Sequence, residues 1–234
     1  MLYAIGDLHL STGADKPMQV FGAAWDDYEN RIIAGFSALG PEDVCVICGD
    51  ISWGMSLQES VSDFRFIDRL GGKKIILKGN HDYWWTTATK ARKMCAENNL
   101  TTIDFLNNNC FRYGELALCG TRGWFYEEEK GGAHDKKIMQ RELMRLETSL
   151  KAGSDCAERL CFLHYPPVFK DYECREMLEL MRDYGVRRCF YGHIHGPGLR
   201  CAVQGEYAGI WFRMVSADYL GFAPVQIDET PVFS

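Results

Sequence analysis

An α/β fold is predicted for this chain by three observations. Short apolar runs bounded by turn residues recur at Leu2 to Ile5, Val44 to Cys48, Lys74 to Leu77, Leu160 to Leu163 and Arg188 to Tyr191, which is how buried strands read. Helix-spaced apolar residues lie between several of them. Each run is followed by a short motif bearing Asp, Asn or His, and open α/β sheets gather ligands at the C-terminal strand edge.

Taken in order, Leu2 to Ile5 leads into Asp7-Leu8-His9. Tyr28, Ile32, Phe36 and Leu39 then repeat at helical spacing, and the second run, Val44 to Cys48, ends at Gly49-Asp50. Leu57, Val61, Phe64 and Ile67 predict a second helix, after which Lys74 to Leu77 meets Gly79-Asn80-His81-Asp82. A further helix is expected to begin near Thr86. Cys110 to Tyr113 and Leu116 to Cys119 meet at Gly114-Glu115 and read as a hairpin. Met139, Leu143, Leu146 and Leu150 predict a helix before Leu160 to Leu163, whose motif is His164-Tyr165-Pro166-Pro167. Cys174, Met177, Met181 and Tyr184 predict another, before Arg188 to Tyr191 and Gly192-His193-Ile194-His195. Ile210 to Val215 and Pro224 to Ile227 are expected as a second hairpin-like pair, so a second sheet is expected. No Pro/Gly/Ser-rich linker interrupts the chain and the motifs run from residue 7 to residue 195, so residues 1–234 are expected to form a single domain.

The 234 residues are 47% apolar and 25% charged, as in soluble globular proteins. A net charge of -6 gives no general attraction to nucleic acid or to anionic lipid. A nucleic-acid partner stays open only through a local basic patch. No run approaches the roughly 18 to 20 apolar residues of a membrane span. A cleavable signal would remove the motif at Asp7, so a cytoplasmic location is expected. Ten scattered cysteines fit a reduced compartment. Cys45 and Cys48 form a C-x-x-C, but positions i and i+3 of a strand face opposite ways, so two buried thiols are expected rather than a zinc or disulfide pair.

Five of the six histidines fall inside the five motifs, with two ligand-type aspartates, Asp7 and Asp50, and Asn80. Hard oxygens mixed with imidazole nitrogens suit manganese, iron or zinc. Singly, each residue also reads as a turn, a cap or a satisfied core group. Jointly, at five strand ends, they read as a two-metal hydrolytic centre, whose ions lie about 3.5 to 4 Å apart and need a bridging anion. Asp50 is the expected bridge.

The ordered set D-x-H, GD, GNH-D, H and GH-x-H, carried by Asp7 to His195, resembles the calcineurin-like metallophosphoesterase superfamily. The resemblance implies a four-layer α/β/β/α sandwich of two mixed sheets with two divalent or trivalent metal ions at the sheet edge. It implies that Asp7, His9, Asp50 and His195 hold one metal, that Asp50 also reaches the second, and that Asn80, His164 and His193 complete the second. His81 is then a non-ligand catalytic residue contacting the phosphoryl group or protonating the leaving oxygen. Asp82 orients that histidine or anchors the turn. The implied reaction is in-line attack on phosphorus by a metal-bound hydroxide.

The second motif continues Ile51-Ser52-Trp53-Gly54, without the further aspartate and arginine of the phosphoprotein phosphatases, so that substrate class is disfavoured. The start Asp7-Leu8-His9-Leu10 is shared with the lipid A pathway pyrophosphatases, with no further specific match. A small phosphoester is the expected substrate, a phosphodiester and a nucleotide being favoured. A phosphomonoesterase, a nucleotide pyrophosphatase and a non-catalytic binding scaffold are the alternatives. Trp53 and Tyr83-Trp84-Trp85 beside the motifs either stack on a base or simply pack. The loop from Thr121 to Asp135 is expected to shape access, with Arg122 either clamping a phosphate or structural. His134, outside the motifs, is expected near a helix start.

Overall fold

A computed structural model describes residues 1–14, 16–125 and 132–227. In its first half β1 (Leu2–Ile5), α1 (Tyr28–Phe36), β2 (Val44–Ile47), α2 (Leu57–Arg69), β3 (Lys73–Ile76), α3 (Ala88–Glu97) and β4 (Ile103–Phe105) alternate. The second half contains β5 (Phe111–Tyr113), β6 (Leu116–Thr121), α4 (Ala133–Ala152), β7 (Glu158–Leu163), β8 (Val168–Phe169) and β9 (Tyr172–Glu173). It continues with α5 (Arg175–Asp183), β10 (Arg188–Tyr191), β11 (Gly205–Tyr207), β12 (Ile210–Met214) and β13 (Val225–Gln226).

Among the described residues, two mixed sheets and a short antiparallel pair, β8 with β9, result. One has the order β13-β1-β2-β3-β4, parallel except for β13; the other has the order β11-β12-β10-β7-β6-β5, parallel in its middle and closed by antiparallel β11 and β5. β5 and β6 form the expected hairpin. The other expected pair is corrected: β12 lies in the second sheet, whereas β13 crosses to the first and pairs antiparallel with β1. The chain between them turns through residues 217–222, too long a path for a tight hairpin.

Three buried clusters separate four layers. Tyr3, Ile5, Cys45, Ile47 and Ile76 face Ile32, Phe36, Val61, Phe64 and Met94 of α1, α2 and α3. Leu2, Ala4, Val46, Cys48 and Ile75 face Leu118, Leu160, Phe162 and Phe190 of the second sheet. Cys119, Cys161, Cys189 and Tyr191 face Met139, Leu146, Leu150, Met177 and Met181 of α4 and α5. The strands read as unbroken apolar runs because both faces are covered. Cys45 and Cys48 accordingly belong to different clusters and are free buried thiols.

Local chemistry starts the helices where they must start. The Ser56 hydroxyl accepts from the Glu59 N–H at 3.3 Å, and the Glu59 carboxylate accepts from the Met55 N–H at 2.9 Å, a reciprocal cap ahead of α2. The Thr87 hydroxyl accepts from the Lys90 N–H at 3.2 Å and caps α3. Among the described residues, no helix is long and apolar enough to cross a membrane.

Candidate metal centre

All five motifs follow the C-terminal ends of parallel strands: β1, β2 and β3 in one sheet, β7 and β10 in the other. Main-chain bonds then lash the loops together, from the Asp7 N–H to the Gly49 carbonyl and from the His9 N–H to the Asp50 carbonyl, both at 2.9 Å, and from the Gly192 N–H to the His164 carbonyl at 3.2 Å. Asp63, buried on α2, accepts from the Thr12 N–H at 2.9 Å and from the Ser52 hydroxyl at 2.5 Å, binding the β1 and β2 loops to the same helix.

Four of the motif residues sit in the left-handed region: Asp7 at φ 60°, His9 at 47°, Asp50 at 52° and His193 at 73°. Such conformations cost on the order of 1–3 kcal/mol each and persist where surrounding structure fixes them. They turn each side chain back towards the strand ends. Two glycines allow the crowding that follows. A methyl group on Gly79 would overlap the Asp50 carboxylate, and one on Gly192 would lie 2.5 Å from Asp7 Oδ2. The glycine of GNH and that of GH-x-H are therefore dictated by a carboxylate packed against the main chain.

The side chains converge on two poles. At one, ligand atoms of Asp7, His9 and His195 all lie within 4.8 Å of one another. Asp7, Asp50 and His164 satisfy the same limit at the other, where Asn80 Oδ1 stands 2.6 Å from His164 Nε2 and 2.9 Å from His193 Nδ1. Asp50 Oδ2 lies 3.7 Å from His9 Nε2 and 3.6 Å from His164 Nε2, between the poles. Asp7 belongs to both groups. All seven sequence-predicted ligand residues are thus brought together.

Two further contacts fix which imidazole nitrogen faces the centre. His164 donates from Nδ1 to the Cys48 carbonyl at 2.9 Å, leaving Nε2 towards Asn80 and Asp50. His195 Nδ1 lies 2.9 Å from Asp218 Oδ1, leaving Nε2 towards Asp7 and His9. Outer partners of this kind orient metal-ligating histidines. Asp218 was not foreseen in the sequence. Its signal was nonetheless present, because it follows the apolar run of β12 at the same strand edge as the motifs.

The electrostatics fit a cation. Burial, together with the Asp82 and Asp7 charges, pushes the Asp50 carboxyl well above the usual carboxylate range. Asp7 is held well below it: burial opposes its charge, but His195, His164 and His9 outweigh burial. Burial draws His9 and His164 below their ordinary value, and with His164 beside it holds His193 at about 3, so all three are neutral donors at pH 7. His195 is the exception: burial is outweighed by the Asp7 charge and the Asp218 bond, which raise it to about 10. Below pH 10 the metal-free centre therefore holds a proton on His195 that a metal must displace. Uptake of metal at pH 7 should release at least about one proton per chain, and affinity should climb with pH. Calorimetry in buffers of different ionisation enthalpy checks this, and no proton release would contradict it.

His81 points its ring at the centre without joining either ligand group. Its Nδ1 lies 3.2 Å from the Tyr83 hydroxyl, its ring 4.5 Å from Trp53, and its main-chain N–H donates to Asp50 Oδ1 at 2.8 Å. Burial, with His164 as a neighbour, holds it at about 4, so in the free protein it is an uncharged hydrogen-bonding group. Among the described residues, Asp82 makes no hydrogen bond to the His81 ring. Its buried carboxylate accepts from the main-chain N–H groups of Gly79, Asp50, Ile51 and Ser52 at 2.6 to 3.3 Å and from Trp84 Nε1 at 2.9 Å. These bonds are those of the turn-anchoring alternative for Asp82.

Around the centre, Trp53 stacks on His9 at 5.1 Å, and Trp25 meets His9 and His195 edge-on at 5.6 and 5.8 Å. Trp53 and Trp84 are buried, whereas Tyr83 is 51% exposed. The Arg122 guanidinium pairs with Glu142 at 3.5 Å, and its carbonyl accepts from the N–H groups of His164 and Tyr165. Of the access loop, Phe125 reaches the His193 ring at 6.5 Å, and residues 126–131 lie outside the described residues. His134 is exposed in the first turn of α4, away from the centre.

Two helix-covered sheets whose strand ends meet over an Asp, Asn and His cluster define a phosphoesterase build. The family model for calcineurin-like phosphoesterases matches residues 2–197, and the chain belongs to that family. No curated protein matches the chain. Among solved structures it is similar to the phosphopantetheinyl hydrolase PptH from Mycobacterium tuberculosis, with a TM-score of 0.58 and 14% identity over 100% of this chain and 97% of that one. It is also similar to TT1561 of Thermus thermophilus, with a TM-score of 0.56 and 10% identity over 90% and 86% of the two chains. The protein of unknown function AQ665 from Aquifex aeolicus gives a TM-score of 0.53 and 15% identity over 96% and 94%. At these identities the likeness is one of fold.

Proposed function

We propose that the protein is a phosphoester hydrolase with a dinuclear metal centre, acting on a small phosphodiester. The observation that carries this reading is the convergence of two ligand poles with Asp50 Oδ2 between them. Asp7, His9 and His195 would hold one ion and Asn80, His164 and His193 the other, with Asp50 shared. The pair, manganese, iron or zinc by donor type, would supply an activated water and neutralise charge on the phosphoryl oxygens. His81 contacts the phosphoryl group or the leaving oxygen by a hydrogen bond, and the charge of a bound phosphoryl would favour its protonation. Asp218 orients His195, and Asp82 holds the two loops that present Asp50 and His81.

The preference for a diester rests on charge. Among the described residues, the lysine acting on His81 is Lys16, whose ammonium lies 3.0 Å from the centre of the Trp53 ring, while Arg122 is paired with Glu142. This setting suits the single negative charge of a diester better than the two of a monoester. Exposed Tyr83 gives the second ester substituent, a nucleoside among them, a surface to lie on.

Metal-stripped protein given manganese should hydrolyse a chromogenic phosphodiester faster than its monoester counterpart. A phosphopantetheinyl ester, the group named for the M. tuberculosis relative, belongs in the same assay. Turnover of the monoester alone would overturn the diester preference, and bound metal without turnover of any ester would favour a binding scaffold.

A further inference from the structure

Behind the loops that carry Asn80 and His164, a cavity of about 140 Å³ is lined by Lys78, Thr86, Asn107, Arg122, Glu142 and Arg145 among others. Three cationic side chains thus surround one carboxylate. Glu142, fully buried, is already engaged by the Thr121 hydroxyl at 2.5 Å, Arg145 Nη1 at 2.6 Å and Arg122 Nη2 at 3.5 Å. Asp82, the other carboxylate acting on Lys78, is engaged by its N–H donors. Arg122 Nε is buried and has no hydrogen-bond partner. Among the described residues, the Lys78 ammonium makes no hydrogen bond either.

Buried polar groups are normally satisfied, and an unpaired guanidinium N–H on an arginine that lines a cation-rich cavity and stands over the Trp124 ring at 4.9 Å points to an anionic acceptor. We propose that this cavity binds a tetrahedral oxyanion of the phosphate class. Arginine forks match two oxygens of such an ion, the lysine supplies a point charge, and Thr86 and Asn107 provide neutral donors. A cavity of about 140 Å³ has room for one oxyanion. The occupant is therefore free inorganic phosphate or the terminal phosphoryl group of a longer ligand. Lys78 directly precedes Gly79-Asn80, and the Arg122 carbonyl accepts from the His164 N–H at 3.1 Å, so the ion holds both ligand-bearing loops from behind.

The site needs no metal at the centre, so it is tested on metal-free protein and stands or falls apart from the proposed hydrolase activity. Inorganic phosphate and methyl phosphate are titrated at constant ionic strength, with chloride as the control, by calorimetry and thermal unfolding. Saturable binding with a rise in Tm is expected, weakened at least about tenfold by Arg145→Gln and retained by His81→Ala. Arg145 is 44% exposed on its side chain, so that variant should fold, and Lys78→Met gives a second reading of the same loss. Binding of both ligands assigns a cavity open to a tail; binding of phosphate alone assigns a closed one. No stabilisation beyond chloride, or stabilisation abolished by His81→Ala and unchanged in Arg145→Gln and Lys78→Met, would overturn the proposal.

Discussion

Replacing Asp50 with asparagine should lower turnover by at least about 10³-fold and leave the fold intact. An ion pair supplies several kcal/mol of transition-state stabilisation, and each 1.36 kcal/mol is tenfold in rate. Asparagine preserves the acceptor for the His81 N–H, 2.8 Å from Asp50 Oδ1, so the loop geometry survives. What is lost is the charge that would offset two cations. The same charge is a burden without metal: the Asp50 carboxyl is raised by burial and by Asp82 and Asp7. A carboxyl whose folded pKa lies above its unfolded one destabilises the fold once pH exceeds the unfolded value. At pH 7 the metal-free Asp50→Asn protein should therefore be as stable as the parent or more so, while the stabilisation that the parent gains from metal shrinks. Unfolding curves with and without manganese separate the two effects, and an unchanged response to metal would refute the bridging role.

His81→Ala should behave in the opposite way, keeping its metal and losing turnover by about 10²- to 10⁴-fold, the range of a positioned proton donor or acceptor. The ring lies outside both ligand groups, and among the described residues the hydrogen bond from His81 to a ligand side chain is made by its main chain, which alanine retains. Its neighbours Trp53 and Tyr83 hold the ring over the centre from two sides. Metal content measured by mass spectrometry beside kcat distinguishes the roles. Loss of metal equal to that of Asp50→Asn would make His81 a ligand.

Most of the centre was legible in the sequence because its residues are local to strand ends. A strand end fixes where a motif lies in the sheet, which put Asp7, Asp50, Asn80, His164 and His193 at one edge, while their division between two ions came from the family resemblance. The helices at residues 28–36, 57–69 and 175–183 were legible through their apolar spacing, since burial of one face is what holds them. Contacts between distant segments were not. Asp218 meets His195 only because β12 lies beside β10, and β13 reaches β1 rather than β12 for reasons of sheet edge that no periodicity encodes. The partners of Asp82 were hidden for a related reason. Its neighbour in sequence is His81, but its bonding partners include Asp50, Ile51 and Ser52, about thirty residues earlier. The left-handed backbone at Asp7, His9, Asp50 and His193 likewise arises from loop convergence rather than from residue preference alone.

The central claim, a pair of ions held by these side chains and used for hydrolysis, is tested most directly by one titration. Metal-stripped protein is titrated with manganese while bound metal and phosphodiester hydrolysis are followed together. Turnover that appears in full only as the second equivalent per chain binds is the predicted result. Saturation of turnover at one equivalent, or hydrolysis that persists without metal, would contradict the account.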